Sequence, residues 1–550
     1  MSGAWLWLFV PVAPLLATLL LVAPRGRATN WLWMAALPAL VAAFWPPQAL
    51  DLPWLWADVR WGGSDLLTRA WLGFSAFLWS CAGVFATSSM ADDPHRRRFW
   101  LFWLLSLAGN FLLIIAADAL SFYLGFSLMS LSAYGLIVHQ GGPAPRRAGR
   151  LYLQLAICGE MLLLAALLMR TYSADGAFRF ATWESTPIDG LTLVLLMLGL
   201  GLKAGFWPLH VWLPLAHPAA PAPASAVLSG AMIKAGILGI WRCLPERDAL
   251  LVEWSTVLLA IGLFGAFYGA LLGVCTQKAK AALAYSSISQ MGYFVMILAL
   301  AWRDPENIAA ITTVLIIFGT HHGLAKGALF LGAGLSHRFR LPAFAWVLLA
   351  IPALALIGAP LTSGGAAKGV LKSAFGEGHF AVWQDWLSLG SVATGVLLLR
   401  AGWLMREDGK ATSERAPLMQ LIPWSLLCVS PLALPWLWPT LRSALFYSLD
   451  LTGTWKLLWP LLVALGIGAV ALRMKWHVPQ AIRDLPDVAS LASLKLKGLM
   501  QRPPMVVPRV GNLRERWRPQ ERRWNRFWRS GALALSAWLM GGLLWLGWLW

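Results

Sequence analysis

Cysteine is scarce in this chain, and so is charge. Its 550 residues include five cysteines: Cys81, Cys158, Cys243, Cys275 and Cys428. None stands in a CxxC pair or at Cys/His metal spacing, which excludes a zinc module, a thioredoxin-like redox pair and a c-type haem attachment. They read as buried thiols. Charged residues make up 13% of the chain, against about a quarter in a soluble domain, so a soluble surface of this size cannot be built. Neither a glycine-rich dinucleotide fingerprint nor a phosphate-binding loop occurs, so no metal, redox cofactor or nucleotide hydrolysis is expected. Nothing basic precedes the first apolar run at 4–23, and no small-residue cleavage site in a polar setting follows it. That run therefore reads as a transmembrane helix and not a cleaved leader. The alternating pattern of an outer-membrane strand is missing too.

Long apolar runs are abundant. Hydrophobic residues make up 59% of the chain and the mean hydropathy is +0.64. A bilayer core about 30 Å thick takes roughly 20 apolar residues to cross as a helix. Runs of about that length recur, giving an all-α polytopic membrane protein of about sixteen transmembrane helices. The 35 tryptophans suit headgroup belts. A net charge of +19 would suggest nucleic acid in a soluble protein; here it reads as loop asymmetry. One alternating set of loops holds the basic stretches 25–27, 95–98, 146–150, 278–280, 337–340, 400–415 and 474–530. The other set, 51–66, 171–189, 244–253 and 303–307, is richer in acids. The positive-inside rule then places the basic loops in the cytoplasm and both termini on the outer side of a cell (inner) membrane.

Three apolar segments carry breakers and charge: 189–213 with Lys203 and Pro208, 308–335 with His321, His322 and Lys326, and 342–375 with Pro360, Gly364, Gly365 and Lys368. Backbone freed from helix at membrane depth survives only inside protein or along a cavity, and interrupted helices at matching places in two halves of a chain point to a transport site. The expected organisation has three N-terminal helices in 1–97 and two inverted five-helix repeats at 98–243 and 244–405, with broken helices 7 and 12. Helices 14–15 follow in 406–473, then a basic cytoplasmic or lateral segment at 474–530 and a final span at 531–550.

An ionisable side chain in a bilayer is costly, by roughly 3 kcal/mol or more, and is a functional candidate by default. This chain has a row of them: Glu160, Lys203, Lys234, His322, Lys326 and Lys368. His322 and Lys326 are four apart and share a helix face, as do Lys368 and Lys372. Amines in a low-dielectric cavity can exchange protons near neutral pH, so a row of lysines and histidines joined by water can pass protons sideways at mid-membrane. Lysine favours protons over sodium, because a fixed cation repels a metal ion. Lys372 could equally snorkel to an interface. His210, and His217 nearby, flank prolines and admit structural or relay roles; His321 is a further accessory candidate.

Ordered motifs carry a resemblance. ADALSFYLGFSLMSLSAY (117–134), GLKAGFWPLHVWLPLAHPAAPAPASAVLSGAMIKAG (201–236), KAKAALAYSSISQMGY (278–293), HHGLAKGALFLGAG (321–334) and APLTSGGAAKGVLK (359–372) resemble, in that order, the antiporter-like subunits of respiratory complex I. Membrane-bound hydrogenases and Mrp cation/proton antiporters share that superfamily, as do the membrane partners of some inorganic-carbon pumps. The resemblance covers about 98–405. It implies a non-redox proton-translocating subunit working with other membrane subunits of a larger complex, NADH-quinone oxidoreductase-like or hydrogenase-like. It also implies roles: Lys203 as the helix 7 lysine, Lys234 as that of helix 8, Lys326 as the central relay with His322, and Lys368 as the outlet of helix 12. Family members usually carry Trp-Glu in helix 5, the Glu pairing with the helix 7 lysine; here the positions read Phe126-Ser127, and Glu160 is expected to replace the lost carboxylate. Alternatives are a cation/proton antiporter subunit, the membrane subunit of a proton-coupled inorganic-carbon transporter, or a scaffold with a dead pathway. Pro503, Pro504, Pro508 and Pro519 interrupt the basic tail, so 474–530 is expected not to form one straight helix but to lie on anionic lipid or dock a neighbouring subunit.

Overall fold

The computed structural model describes residues 3–22, 29–56, 58–375, 381–408, 414–437, 442 and 451–474. The expectations for 475–550, including the basic tail and the last span, lie outside these residues.

Apolar stretches become helices because a bilayer offers no partner for backbone N–H and C=O groups. In chain order they are α1 (Leu6–Ala17), α2 (Leu37–Phe44), α3 (Leu66–Ser89), α4 (Arg96–Ile115), α5 (Ala119–Ile137), α6 (Pro143–Ser173), α7 (Phe180–Trp183), α8 (Gly190–Ala204), α9 (Leu213–Ala219), α10 (Ala222–Val227), α11 (Lys234–Cys243), α12 (Ala249–Cys275), α13 (Ala279–Arg303), α14 (Ile308–Arg338), α15 (Ala343–Ile357), α16 (Ser363–Ala374), α17 (Ala381–Asp408), α18 (Leu418–Leu437) and α19 (Leu451–Arg473). Among the described residues, twelve helical stretches are long and apolar enough to cross a membrane, and three shorter apolar ones lie at Leu32–Phe44, Gly190–Ala204 and Ala343–Ile357. The chain is a nearly all-helical, multi-span membrane protein. A two-stranded antiparallel ribbon, β1 (Leu50–Asp51) with β2 (Arg60–Trp61), is the exception.

Aspartates at helix starts have a structural use. Asp65, Asp118, Asp189 and Asp248 each accept a backbone N–H in the first turn of α3, α5, α8 and α12. A carboxylate at an N-cap satisfies donors that the helix cannot and complements its dipole. Two arginines do the converse: half-buried Arg242 donates to the carbonyls of Leu113, Ile114 and Ala116 at the end of α4 and to Thr68, and buried Arg170 to those of Trp183, Thr186 and Pro187.

Burial is graded from centre to rim. The most apolar window of α13 is entirely buried and that of the 222–243 stretch 94% buried, against 33% for α6 and 17% for α19. Without a hydrophobic drive between helices in lipid, close packing holds such bundles together. Glycines supply it: a Cβ on Gly199 of α8 would come 2.8 Å from the Gly159 carbonyl oxygen of α6. Cys158, expected to be buried, is exposed on the outer face of α6, next to that seam, while Cys275 is only half-buried. A thiol on a lipid-facing helix face needs no protein cover.

Candidate functional site

Every ionisable residue singled out in the apolar segments is buried except Lys372, which is half-buried. Most of them fall into two clusters.

The first lies where α5, α6 and α8 meet. Residues 152, 156 and 160 share one face of α6, which turns Tyr152 and Glu160 together toward α8. Lys203 is in the last turn of α8, which stops at Gly205 in the left-handed conformation. Its Nζ donates to the Tyr152 hydroxyl at 3.1 Å, and that hydroxyl donates to the Ser130 carbonyl at 2.8 Å. The rings of Phe126 and Tyr152 lie 6.0 and 5.5 Å from the ammonium, within cation–π range. Glu160 interacts electrostatically with Lys203 and faces Ser127; its Oε1 has no hydrogen-bond partner among the described residues. A cavity of about 10 Å³ adjoins Lys203, lined among others by Phe126, Tyr152, Gly159 and Trp212, enough for about one water.

The second cluster occupies the centre. The chain does not run from 222 to 243 as one α-helix: a π turn at Leu228–Met232 precedes Lys234. π turns mark functional sites often enough to be informative, and this one turns carbonyls out of register. Lys234 Nζ donates to the carbonyls of Gly230 at 2.7 Å and Ser229 at 3.3 Å. Lys326 on α14 donates to the Leu283 carbonyl at 2.9 Å. Between them sits His322, wholly buried, with both ring nitrogens lacking a hydrogen-bond partner among the described residues; it feels the charges of Lys234 and Lys326. His321, on the next face of α14, pairs Nδ1 with Ser363 Oγ at 2.9 Å and interacts with Lys368.

Lys368 extends the row. α15 ends at Gly358 in the left-handed conformation, and α16 starts after the Thr362 cap. Lys368 Nζ donates to the Ile357 carbonyl at 2.7 Å and to Ser391 Oγ at 2.8 Å, with the Tyr293 ring 5.4 Å away. Lys372 reaches Ser388 Oγ at 2.7 Å; it does not snorkel freely.

Lys234, His322, Lys326, His321 and Lys368 thus form a connected electrostatic row. Lys203 and Lys234 share no partner in the contacts described above. His210 is buried against Tyr268. Sequence reasoning missed Tyr152, Ser363, Ser388 and Ser391. The spacing of Tyr152 to Glu160 would have signalled the first; isolated serines in apolar helices give no such sign. Among the described residues no group of three His, Cys, Asp or Glu could hold a metal ion.

Comparison with known proteins gives a consistent picture. Residues 116–384 match the family described as the NADH:quinone oxidoreductase/Mrp antiporter transmembrane region. The chain is 34% identical over 240 residues to hydrogenase-4 component B of Escherichia coli, covering 42% of this chain and 36% of that one. It is 30% identical over 360 residues to an NAD(P)H-quinone oxidoreductase chain 4 of Picosynechococcus sp., covering 60% and 63%. The match therefore spans less than two thirds of either relative. Among solved structures, the Mrp complex from Dietzia sp. contains a chain with the same fold: TM-score 0.67 at 22% identity, covering 83% of this chain and 99% of that one.

Proposed function

Because this chain belongs to the NADH:quinone oxidoreductase/Mrp antiporter superfamily, we propose that it is the proton-translocating subunit of a multi-subunit membrane complex, moving protons along Lys203, Lys234, His322, Lys326 and Lys368 at mid-membrane. The observation that carries the reading is the central row itself: three buried lysines and two buried histidines in mutual electrostatic contact. Ion-site carboxylates of the kind a sodium carrier would use are not what this row presents; its groups carry exchangeable protons.

The helices interrupted after Ala204 and Ile357 correspond, in this reading, to broken helices 7 and 12 of two inverted repeats at 98–243 and 244–405, within a plan of sixteen spans. The breaks bring a lysine to a helix end, Lys203 at the end of α8 and Lys368 beside the freed Ile357 carbonyl. Protons enter from the side bearing the basic loops, taken as the cytoplasmic side of a bacterial inner membrane, with both termini outside. Glu160 takes the part of the carboxylate that position 127 lacks: it reaches Lys203 from α6 instead of α5. Tyr152 holds the lysine on the other side, so the ammonium has two alternative partners, one charged and one neutral. Redox chemistry, in this reading, belongs to other subunits of the complex, and 474–530 meets anionic lipid or a neighbouring subunit.

The test is proton uptake by the intact complex in proteoliposomes under an imposed potassium diffusion potential. Lys326→Ala is expected to abolish uptake with assembly intact, and Glu160→Gln to lower it by about 10²-fold, the usual worth of a positioned proton-transfer group. Replacing external sodium with choline is expected to change nothing. Undiminished uptake in Lys326→Ala overturns the relay.

A further inference from the structure

The row does not end at Lys368, and the groups beyond it form a graded path to the surface. α16 presents Lys368 and Lys372 one turn apart; α17 presents Ser391, Ser388 and Asp385 at intervals of three on one face. The two faces meet as rungs. Lys368 donates to Ser391 at 2.8 Å and Lys372 to Ser388 at 2.7 Å, and Lys372 interacts electrostatically with Asp385. Each serine hydroxyl donates its own hydrogen four residues back, Ser391 to the Leu387 carbonyl at 3.1 Å and Ser388 to that of Gln384 at 2.9 Å. That leaves each oxygen turned outward as an acceptor. Burial falls along the path: Lys368 is 5% exposed, Lys372 is half-buried and Asp385 is exposed. The exposed Lys456 of α19 faces Lys372 from the far side. The path climbs toward the end of the seam where α16 finishes and α17 begins, on the side opposite the basic loops.

We propose that the seam between α16 and α17 is the proton's way out, Lys368 passing its proton to Lys372 and Lys372 to Asp385 at the outer surface. This rests on Lys368 being the last buried group of the relay. The serines do not carry the proton, because their hydrogens are engaged by the backbone. They fix where each ammonium sits and hold the two amines in one line. Each step breaks one bond to hydrogen and forms one: charged Lys368 protonates neutral Lys372, breaking one N–H and forming another; charged Lys372 protonates the Asp385 carboxylate, breaking N–H and forming O–H; and the carboxyl releases the proton to water, breaking O–H and forming an O–H of hydronium. Nothing but protons is exchanged.

Two measurements on the intact complex test this. The first is proton flow driven by an imposed potential, with Lys326→Ala as the reference for a stopped relay. Lys372→Met is expected to lower flow by about 10²-fold, Asp385→Asn and the Ser388→Ala/Ser391→Ala double variant by about tenfold, and Ser391→Thr, which keeps the hydroxyl, to run at the wild-type rate. The second is labelling by a membrane-impermeant cationic thiol reagent added outside, in a background with Cys158 and Cys275 replaced by serine. Asp385→Cys, Ser388→Cys and Ser391→Cys are expected to react at decreasing rates, while Leu389→Cys, on the exposed apolar face of the same helix, does not react. Wild-type flow in Lys326→Ala overturns the relay itself. Loss of flow in Lys326→Ala with wild-type flow in Lys372→Met, or no labelling at 388 and 391, leaves the relay standing and overturns the outlet.

Discussion

Substituting alanine for glycine at two positions tests whether the α6–α8 seam sets the geometry of the Lys203 cluster. At Gly402 on α17 a Cβ would meet nothing within 4 Å. At Gly199 it would lie 2.8 Å from the Gly159 carbonyl oxygen and 2.9 Å from the Leu163 nitrogen. Those are backbone atoms on the facing helix, so no side chain can swing aside and the helices must part by roughly half an ångström. Both substitutions gain the same helix propensity, about 1 kcal/mol, so their difference isolates the seam. Overpacking of this kind costs about 1–3 kcal/mol, and Gly402→Ala should be neutral or slightly stabilising. Thermal unfolding of the detergent-purified complex reads the difference. Proton flow reads the consequence, because Glu160 follows Gly159 directly and Lys203 lies four residues after Gly199: parting the seam separates the carboxylate from the amine. Equal melting temperatures and equal flow in the two variants would refute the argument that close helix approach places the pair.

Tyr152→Phe deletes one oxygen and keeps the ring over Lys203; losing a hydrogen bond to a charged group, worth about 1.5–3 kcal/mol, should lower flow by about tenfold without changing the amount of assembled complex. Arg242→Met should destabilise the protein by more than about 3 kcal/mol, read by thermal unfolding, since three carbonyls at the end of α4 lose their partner together. Between pH 7 and 5 stability should fall through His139, which lies beyond the end of α5 with its side chain 1% exposed. Burial pulls its imidazole below the ordinary value of 6.5, and Asp93 only partly offsets this. The unfolded chain therefore takes up the extra proton first as pH drops through about 6.5, and stability is lost from there downward. Burial pushes the Asp93 carboxyl up, but hydrogen bonds from His95 and His139 outweigh it and hold it below the ordinary carboxylate value. Its contribution is thus complete above pH 4, and His139→Gln should flatten the melting profile between pH 7 and 5.

The lysines were legible in the sequence because charge inside an apolar run is conspicuous; the helix ends at Gly205 and Gly358 fall in the stretches where Pro208, Pro360, Gly364 and Gly365 break the apolar pattern. Glu160 was legible as a lone carboxylate inside an apolar run, and it interacts with Lys203. Tyr152 was hidden by its ordinariness: an aromatic residue on an amphipathic face usually packs. Ser388 and Ser391 were hidden for a similar reason, since a serine in an apolar helix can satisfy itself on the carbonyl four residues back, as both do here. The π turn before Lys234 left no trace in apolar periodicity, because one extra residue in a fully buried helix changes no face from apolar to polar. Cys158 was misread because apolar sequence does not distinguish a side chain buried in protein from one bathed in lipid.

Lys234, Lys326 and Lys368 each rest on a main-chain carbonyl. No codon specifies those acceptors, so no single substitution can delete them and no comparison of sequences can reveal them as a covarying partner. Selection acting on this row can change the lysine or the path of the helix that offers the carbonyl, but not the pairing itself. The charge-bearing half of the row is written in side chains, each of which one substitution can change. The accepting half is written in backbone and changes only when the fold does.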